Sequence, residues 1–313
     1  MKKVAIIYIC TGPYIAYWKN FYDSFESKFL PNWEKHFFVF TDNAEIYQKE
    51  NARVHYKYQM PLPWPLITLL KFQFVLEIEE ELKKYDFIYM SNANIICEQF
   101  IEEKDILPRP ELGEHIVFTH HPGCYIDKRY NHPYNCEYER DPNSLAYIPY
   151  NKGKIYVYGN MHGGYTQYYI ALVRELARRI NEDLKKGKIA KWHDESHVNH
   201  YAATHDDYRV LDPGYCYPVG FEVPFERKIV GVPKDTVFNV NDFKGYYSPT
   251  QKNKLLLYID VIYKKIIQNN MPFLYFIRDK IFNKYLLHNI LSIIFIQKKI
   301  VGCSKNDTGI LLI

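Results

Sequence analysis

Tyr85-Asp-Phe-Ile-Tyr-Met90, halting at Ser91-Asn92-Ala93-Asn94, decides the fold. Its apolar run does not alternate with polar residues, which predicts a strand buried on both faces, as in a parallel sheet covered by helices. Residues 66–84 before it are good helix formers with a run of glutamates and predict a helix leading into that strand. The pattern repeats toward the N-terminus. Val4-Ala-Ile-Ile-Tyr-Ile9 is an unbroken apolar run ended by Gly12-Pro13, and residues 14–29 carry aromatics at helical spacing. His36-Phe-Phe-Val-Phe-Thr41 is a second buried strand stopping at Asp42-Asn43, and Val54-His-Tyr-Lys-Tyr58 is a third before the turn Pro61-Leu-Pro-Trp-Pro65. Strands separated by helices imply an α/β chain with a mainly parallel sheet. Ligands of such sheets sit beyond the carboxyl ends of the strands, which makes residues 10–14, Asp42 and residues 92–94 one rim and the expected nucleotide site.

With 313 residues, 47% of them hydrophobic, the chain is long enough for one large core or two small ones. A formal net charge of +4 gives no reason to expect nucleic acid, and the excess lies in the tail. The 30 tyrosines suit a carbohydrate site, where rings stack on sugar C–H faces and hydroxyls hydrogen-bond, although compositional bias explains them as well. Cys10, Cys97, Cys124, Cys136, Cys216 and Cys303 show no C-x-x-C spacing and read as reduced thiols of a cytoplasmic protein. Met1-Lys2-Lys3 and the apolar run after it resemble a signal peptide, but the run is short and has no A-x-A site, so a first strand is the reading. No stretch approaches the ~20 apolar residues that span a bilayer.

Residues 122–149 are rich in Pro, Asn and Tyr, too polar for core, and predict a long functional loop. A helix follows over 165–186 and another starts near Asp194. From 249 onward the chain is rich in Lys, Ile, Asn and Tyr, with apolar clusters at 255–267 and 271–300, and forms a separate appendage. Its basic and apolar mixture suits an anionic membrane surface, which would put the protein at the inner face of the cytoplasmic membrane, and suits equally a helical extension packed on the body.

Three motifs carry chemistry. Asn92-Ala93-Asn94 at a strand end stands where many sugar-nucleotide transferases have Asp-x-Asp, and amide oxygens bind hard cations far more weakly than carboxylates. Trp192-His193-Asp194-Glu195-Ser196 groups an aromatic, an imidazole and two acids, placing a carboxylate for catalysis or merely acids at a helix start. His193 and His197 share a helix face, with His200 and His205 nearby, so a zinc site of the H-E-x-x-H type is a rival, although residue 194 is Asp. Gly163-Gly164 offers close backbone approach to a ligand, though such a pair more often means only a turn or a packing contact.

Several segments in order resemble glycosyltransferase family 6, the family of the histo-blood-group A and B transferases and the α1,3-galactosyltransferases. His121-Pro122-Gly123-Cys124-Tyr125 is similar to its His-Pro-Gly-Phe-Tyr. Tyr138-Glu139-Arg140 with Ser144-Leu145-Ala146-Tyr147-Ile148-Pro149 is similar to its Tyr-Glu-Arg-Arg…Ser-Gln-Ala-Tyr-Ile-Pro. Gly163-Gly164, Trp192-His193-Asp194-Glu195-Ser196-His197, Tyr14-Ile-Ala16…Phe21 and Phe40-Thr41-Asp42 complete the set, over roughly residues 4–240. The resemblance implies a GT-A fold over 1–248, with a Rossmann-like nucleotide half to about 115, an acceptor half from about 116, and a helical extension over 249–313. It implies retaining transfer of galactose or N-acetylgalactosamine from UDP to a galactose-containing acceptor in α1,3 linkage. A fucosyl-α1,2-galactose oligosaccharide or glycolipid of a bacterial surface glycan is the expected acceptor.

By the same resemblance Glu195 is the catalytic glutamate, either nucleophile or stabiliser of an oxocarbenium-like transition state. His121, Glu137 and Trp192, with Glu195, match acceptor-contacting positions. His193 and Asp194 match donor-sugar contacts, and Ile9, Cys10, Thr11 and Tyr14 the uridine pocket. Lys234 matches a phosphate-binding lysine and Lys71 a family arginine. The metal-binding Asp-x-Asp becomes Asn92-Ala93-Asn94, as in a bacterial branch that transfers without metal, so no cofactor is expected and Lys71 and Lys234 are the candidates to neutralise departing UDP. A second C-terminal basic residue is missing, and Pro218 replaces an acceptor-binding acid. Tyr158-Gly159-Asn160 matches the triplet that discriminates donors; Asn160 is bulkier than the usual Gly or Ala, which argues for galactose, yet its amide can hydrogen-bond an N-acetyl group. The alternatives are a zinc hydrolase built on His193 and His197, and a sugar-binding protein that has lost activity.

Overall fold

The computed structural model of the protein describes residues 1–62, 64–127 and 135–234. Its centre is a seven-stranded sheet in the order β3-β2-β1-β4-β7-β6-β8. The strands are β1 (Lys3–Ile9), β2 (Glu34–Thr41), β3 (Val54–Tyr58), β4 (Phe87–Met90), β6 (Ile116–His120), β7 (Val157–Tyr165) and β8 (Tyr208–Leu211), while β5 (Ile95–Cys97) and β9 (Ile229–Gly231) form a separate antiparallel ribbon. Strands β1 to β4 are mutually parallel, as are β6 and β8; β7 alone runs against both neighbours. This is the mainly parallel, Rossmann-like sheet of a GT-A fold, with helices on its faces.

The apolar run of β1 is enclosed, with Val4, Ala5, Ile6, Ile7 and Tyr8 all 0% exposed. A turn of 3-10 helix at Gly12–Tyr17 leads into α1 (Trp18–Lys28). The spacing of Trp18, Phe21, Tyr22 and Phe25 lays one stripe of α1 on the sheet, with the Phe21 ring 4.2 Å from that of Tyr8. Each such buried ring contributes roughly 2–3 kcal/mol. The helix expected over 66–84 is broken at Leu70 and Ile78 into α2 (Leu66–Leu69), α3 (Lys71–Glu77) and α4 (Glu79–Leu82). After β5, α5 (Glu103–Ile106) opens on a capping box between Glu102 and Asp105.

For Gly163 and Gly164 the packing reading holds: they lie inside β7, where a Cβ on Gly163 would come 2.6 Å from the Ile88 carbonyl of β4 and one on Gly164 2.8 Å from Ile116 Cδ1 of β6. The pair lets β7 fit between its neighbours. One expectation is corrected: the described residues of 122–149 do supply core, and a buried polar group such as Glu139 is satisfied there by backbone N–H groups. Beyond α6 (Gly123–Ile126), Tyr138, Ala146 and Ile148 are at most 1% exposed, and buried Glu139 accepts from the N–H groups of Asp141 at 2.7 Å and Lys191 at 2.6 Å.

Two long helices complete the body, α7 (Thr166–Lys185) and α8 (His193–Thr204). By contacts the chain falls into two units, Met1–Asp183 with Ala190–Ser248, and Leu184–Ile189 with Pro249–Ile313. The described part of the second is the end of α7 and a turn at Gly187, whose φ is 71°. The expected helical extension over 249–313 lies outside the described residues. Among those described, no helix is long and apolar enough to cross a membrane.

Candidate active site

β7 and α8 touch along their main chains, and the Glu195 carboxylate sits in the junction. Glu195 lies in the first turn of α8, where the helix dipole favours an anion. Its Oε1 accepts from the Tyr156 hydroxyl at 2.8 Å and its Oε2 from the Gly159 N–H at 2.9 Å. So close an approach requires glycine, because a Cβ on residue 159 would lie 2.5 Å from Glu195 Cβ. One turn along, fully buried Asn199 donates to the carbonyls of Glu195 and Val157, both at 2.9 Å, and accepts from the Val157 N–H at 2.8 Å. Burial pushes the Glu195 carboxyl up to about 7, against the pull of its two hydrogen bonds.

Lys71 enters the same junction from α3. Its ammonium has three N–H bonds and three acceptors: the Gly159 carbonyl at 2.8 Å, Asp194 Oδ2 at 2.5 Å, and Asn160 Oδ1. Lys71 and Asp194 are 3% and 4% exposed, so each charge depends on the other. The ammonium only donates, so Asn160 turns its oxygen to Lys71 and is left with its Nδ2 as the free end. All three Lys71 protons are thus engaged within the protein. His193 opens α8 with φ 53°, a left-handed conformation uncommon outside glycine, with its ring edge-on to Trp64 at 4.6 Å. Burial lowers its imidazole.

The expected rim is assembled at the strand ends. The Cys10 N–H donates to the Phe40 carbonyl at 2.9 Å, and the Gly12 N–H, beside Thr11 and Ile9, to Asp42 Oδ1 at 2.7 Å. Ala93 is fixed by the Tyr8 hydroxyl at 2.9 Å. Asn92 Nδ2 donates to the Tyr158 hydroxyl at 2.9 Å, and Asn94 Nδ2 to the Val232 carbonyl at 2.7 Å. The second of these no carboxylate could make. The Lys234 ammonium lies 5.6 Å from the centre of the Tyr14 ring, and the Lys234 carbonyl accepts from the Tyr17 hydroxyl at 3.0 Å.

The sequence model of glycosyltransferase family 6 matches residues 2–236, three quarters of the chain. The protein belongs to glycosyltransferase family 6. It is 33% identical over 198 residues to the O-antigen biosynthesis glycosyltransferase WbnI of Escherichia coli, covering 63% of this chain and 81% of that one. To the histo-blood group ABO system transferase 2 of Rattus norvegicus it is 27% identical over 235 residues, 71% of this chain and 66% of the rat protein. To the globoside alpha-1,3-N-acetylgalactosaminyltransferase 1 of Gallus gallus it is 25% identical over 223 residues, 68% and 61% of the two chains. As a family 6 glycosyltransferase it takes a hexose from a nucleotide sugar to a glycan acceptor.

In this glycosyltransferase the residues expected on the acceptor side stand in different settings. His121 packs its ring 5.5 Å from Tyr156 and 5.2 Å from Tyr158, and burial lowers its imidazole to about 4. Glu137 pairs with Lys191, and Trp192 is 46% exposed. His197 stands 3.7 Å from Asp183, whose carboxylate accepts from Ser144 Oγ at 2.6 Å. Among the described residues no group of three or more His, Cys, Asp and Glu could hold a metal, which leaves the zinc alternative without its ligands. Tyr156, Asn199 and Trp64 are the site residues that sequence reasoning missed. Asn199 was within reach, being one helical turn from Glu195.

Proposed function

We propose that this family 6 enzyme transfers N-acetylgalactosamine or galactose from UDP to a fucosyl-α1,2-galactose acceptor, in α1,3 linkage, with retention and without a divalent cation. The observation that carries the reading is the Glu195 carboxylate, clamped by Tyr156 and Gly159 beside the donor triplet Tyr158-Gly159-Asn160. In transfer the C1–O bond to the diphosphate breaks and its electron pair leaves on UDP, while the acceptor hydroxyl oxygen bonds C1 and its proton passes to the departing diphosphate oxygen. Glu195, ionised, meets the positive charge that develops at C1. Among the proteins to which the chain is similar, the globoside alpha-1,3-N-acetylgalactosaminyltransferase supports the α1,3 linkage, and the O-antigen biosynthesis and histo-blood group transferases support a glycan acceptor.

The donor set does not fit a tightly held metal. Asn92 and Asn94 are neutral, and both turn a nitrogen into hydrogen bonds with the protein. Asn94→Asp sets a carboxylate against the Val232 carbonyl and is expected to lower unfolding free energy by about 1–3 kcal/mol in urea, with no gain of manganese dependence. A variant of full stability that manganese activates would overturn the reading. Asn160 favours N-acetylgalactosamine, because with its oxygen on Lys71 the free Nδ2 has N–H groups for an acetamido carbonyl. One such bond contributes about 1 kcal/mol, a preference of roughly fivefold.

UDP release measured with each donor and a fucosyl-α1,2-galactose acceptor, in EDTA and again with manganese, tests the reading. Acceptor-dependent release in EDTA, faster with UDP-N-acetylgalactosamine, is the expected result. Release only with manganese rejects metal independence, and a clear preference for UDP-galactose rejects the role given to Asn160. No release with this acceptor rejects the acceptor assigned.

A further inference from the structure

We propose that Tyr156 is a positioning residue for Glu195, its hydroxyl holding the carboxylate in the orientation and ionised form that the reaction needs. This rests on the reading of Glu195 as the carboxylate at the reacting carbon. The geometry is that of a clamp with one arm on each oxygen, the Tyr156 hydroxyl at 2.8 Å and the Gly159 N–H at 2.9 Å. The hydroxyl has little freedom. Tyr156 is 4% exposed, and its ring is wedged between those of His121 at 5.5 Å and Tyr138 at 5.3 Å. Burial pushes the phenol well above its ordinary range, so it remains a donor throughout the pH range of a working enzyme. Of the two arms only Tyr156 is a side chain.

The groups that face Glu195 from each packed element leave Tyr156 as the adjustable one. Asp194 on α8 opposes ionisation of Glu195 and Lys71 on α3 favours it, and the two are bound to each other. Tyr158 on β7, Cys124 on α6 and Cys216 after β8 are all raised by their surroundings and stay neutral. The nearby imidazoles of His121 and His193 are lowered by burial and are neutral as well. The tyrosine donates to the carboxylate and so favours the ionised form; its loss moves the Glu195 midpoint to higher pH.

The test reads Glu195 directly, as the carboxylate infrared band that disappears in a Glu195→Gln background, and in parallel follows kcat/KM against pH. Tyr156→Phe keeps the ring contacts and removes the one bond. Its infrared midpoint is expected to rise by about one pH unit, and kcat/KM to fall about tenfold at pH 6 with the deficit shrinking toward pH 9. Replacing Tyr156 with 3-fluorotyrosine, a stronger donor of the same shape, is expected to move both midpoints down, and serves if the Phe variant does not fold. Midpoints unchanged in both variants overturn the proposal, however slow the enzymes are. A shifted infrared midpoint with an unshifted rate profile upholds the hydrogen bond and rejects the place given to Glu195 in the reaction.

Discussion

Glu195→Gln is expected to lower kcat/KM about a thousandfold, roughly 4 kcal/mol of transition-state stabilisation, while the fold survives. Glutamine has the same shape, and its two ends suit the clamp: the amide oxygen accepts from the Gly159 N–H and the amide nitrogen donates to the Tyr156 hydroxyl. What vanishes is the negative charge, and with it the partner of the positive charge at C1. The stability of the variant carries its own signature. The Glu195 carboxyl titrates near 7 in the folded protein against an ordinary 4.5, so the folded state binds its proton more tightly than the unfolded one. Its contribution to stability is therefore full below pH 4.5 and is lost as pH rises through 7. The substituted glutamine does not titrate, so the stability of the variant relative to the parent is expected to grow across that window and level off above it. Thermal unfolding at pH 4 and pH 8, with UDP release at pH 8, checks both halves. A Glu195→Gln enzyme within threefold of the parent rate would remove Glu195 from the chemistry.

Gly159→Ala is the second large effect. Residue 159 has ordinary strand geometry, so an alanine meets no backbone strain there; the obstacle is space. The new Cβ would lie 2.5 Å from Glu195 Cβ and 2.7 Å from its Cα, and the second of these is main chain that no rotamer change can move. Relief requires β7 and α8 to part by about 1 Å, which stretches the Gly159 N–H bond and carries Glu195 off its position. Overpacking of this kind costs typically 1–3 kcal/mol, and a 1 Å displacement of a reacting group about a hundredfold in rate. Chemical denaturation and the kcat/KM of the soluble variant measure the two losses separately. Parent-like activity would mean that the contact between β7 and α8 is not what places the carboxylate.

Much of this was legible along the chain, and what was not has a common cause. β1, β2 and β4 announce themselves because strands buried on both faces need unbroken apolar runs. β7 does not, because it contains Gly-Asn-Met-His-Gly-Gly and owes its place to how closely its neighbours approach it. Glu195, His193 and Asp194 stand in one compact motif, so local reading reaches them. Lys71 is another matter: its partners Gly159, Asn160 and Asp194 are 88, 89 and 123 residues away, and nothing near Lys71 hints that all its protons are engaged. The Tyr156 bond to Glu195 spans 39 residues and is equally silent in sequence. The positive φ of His193 is only weakly signalled, since histidine is one of the few non-glycine types enriched in that conformation.

The ties between β7 and α8 also bear on how such a site changes by descent. Asn199 grips the N–H and carbonyl of Val157, and Glu195 grips the N–H of Gly159, so on the strand side these ties are backbone. Backbone is what point mutation leaves alone. A change of side chain at 157 therefore leaves these three bonds in place, and the carboxylate can be handed down in position through such a change.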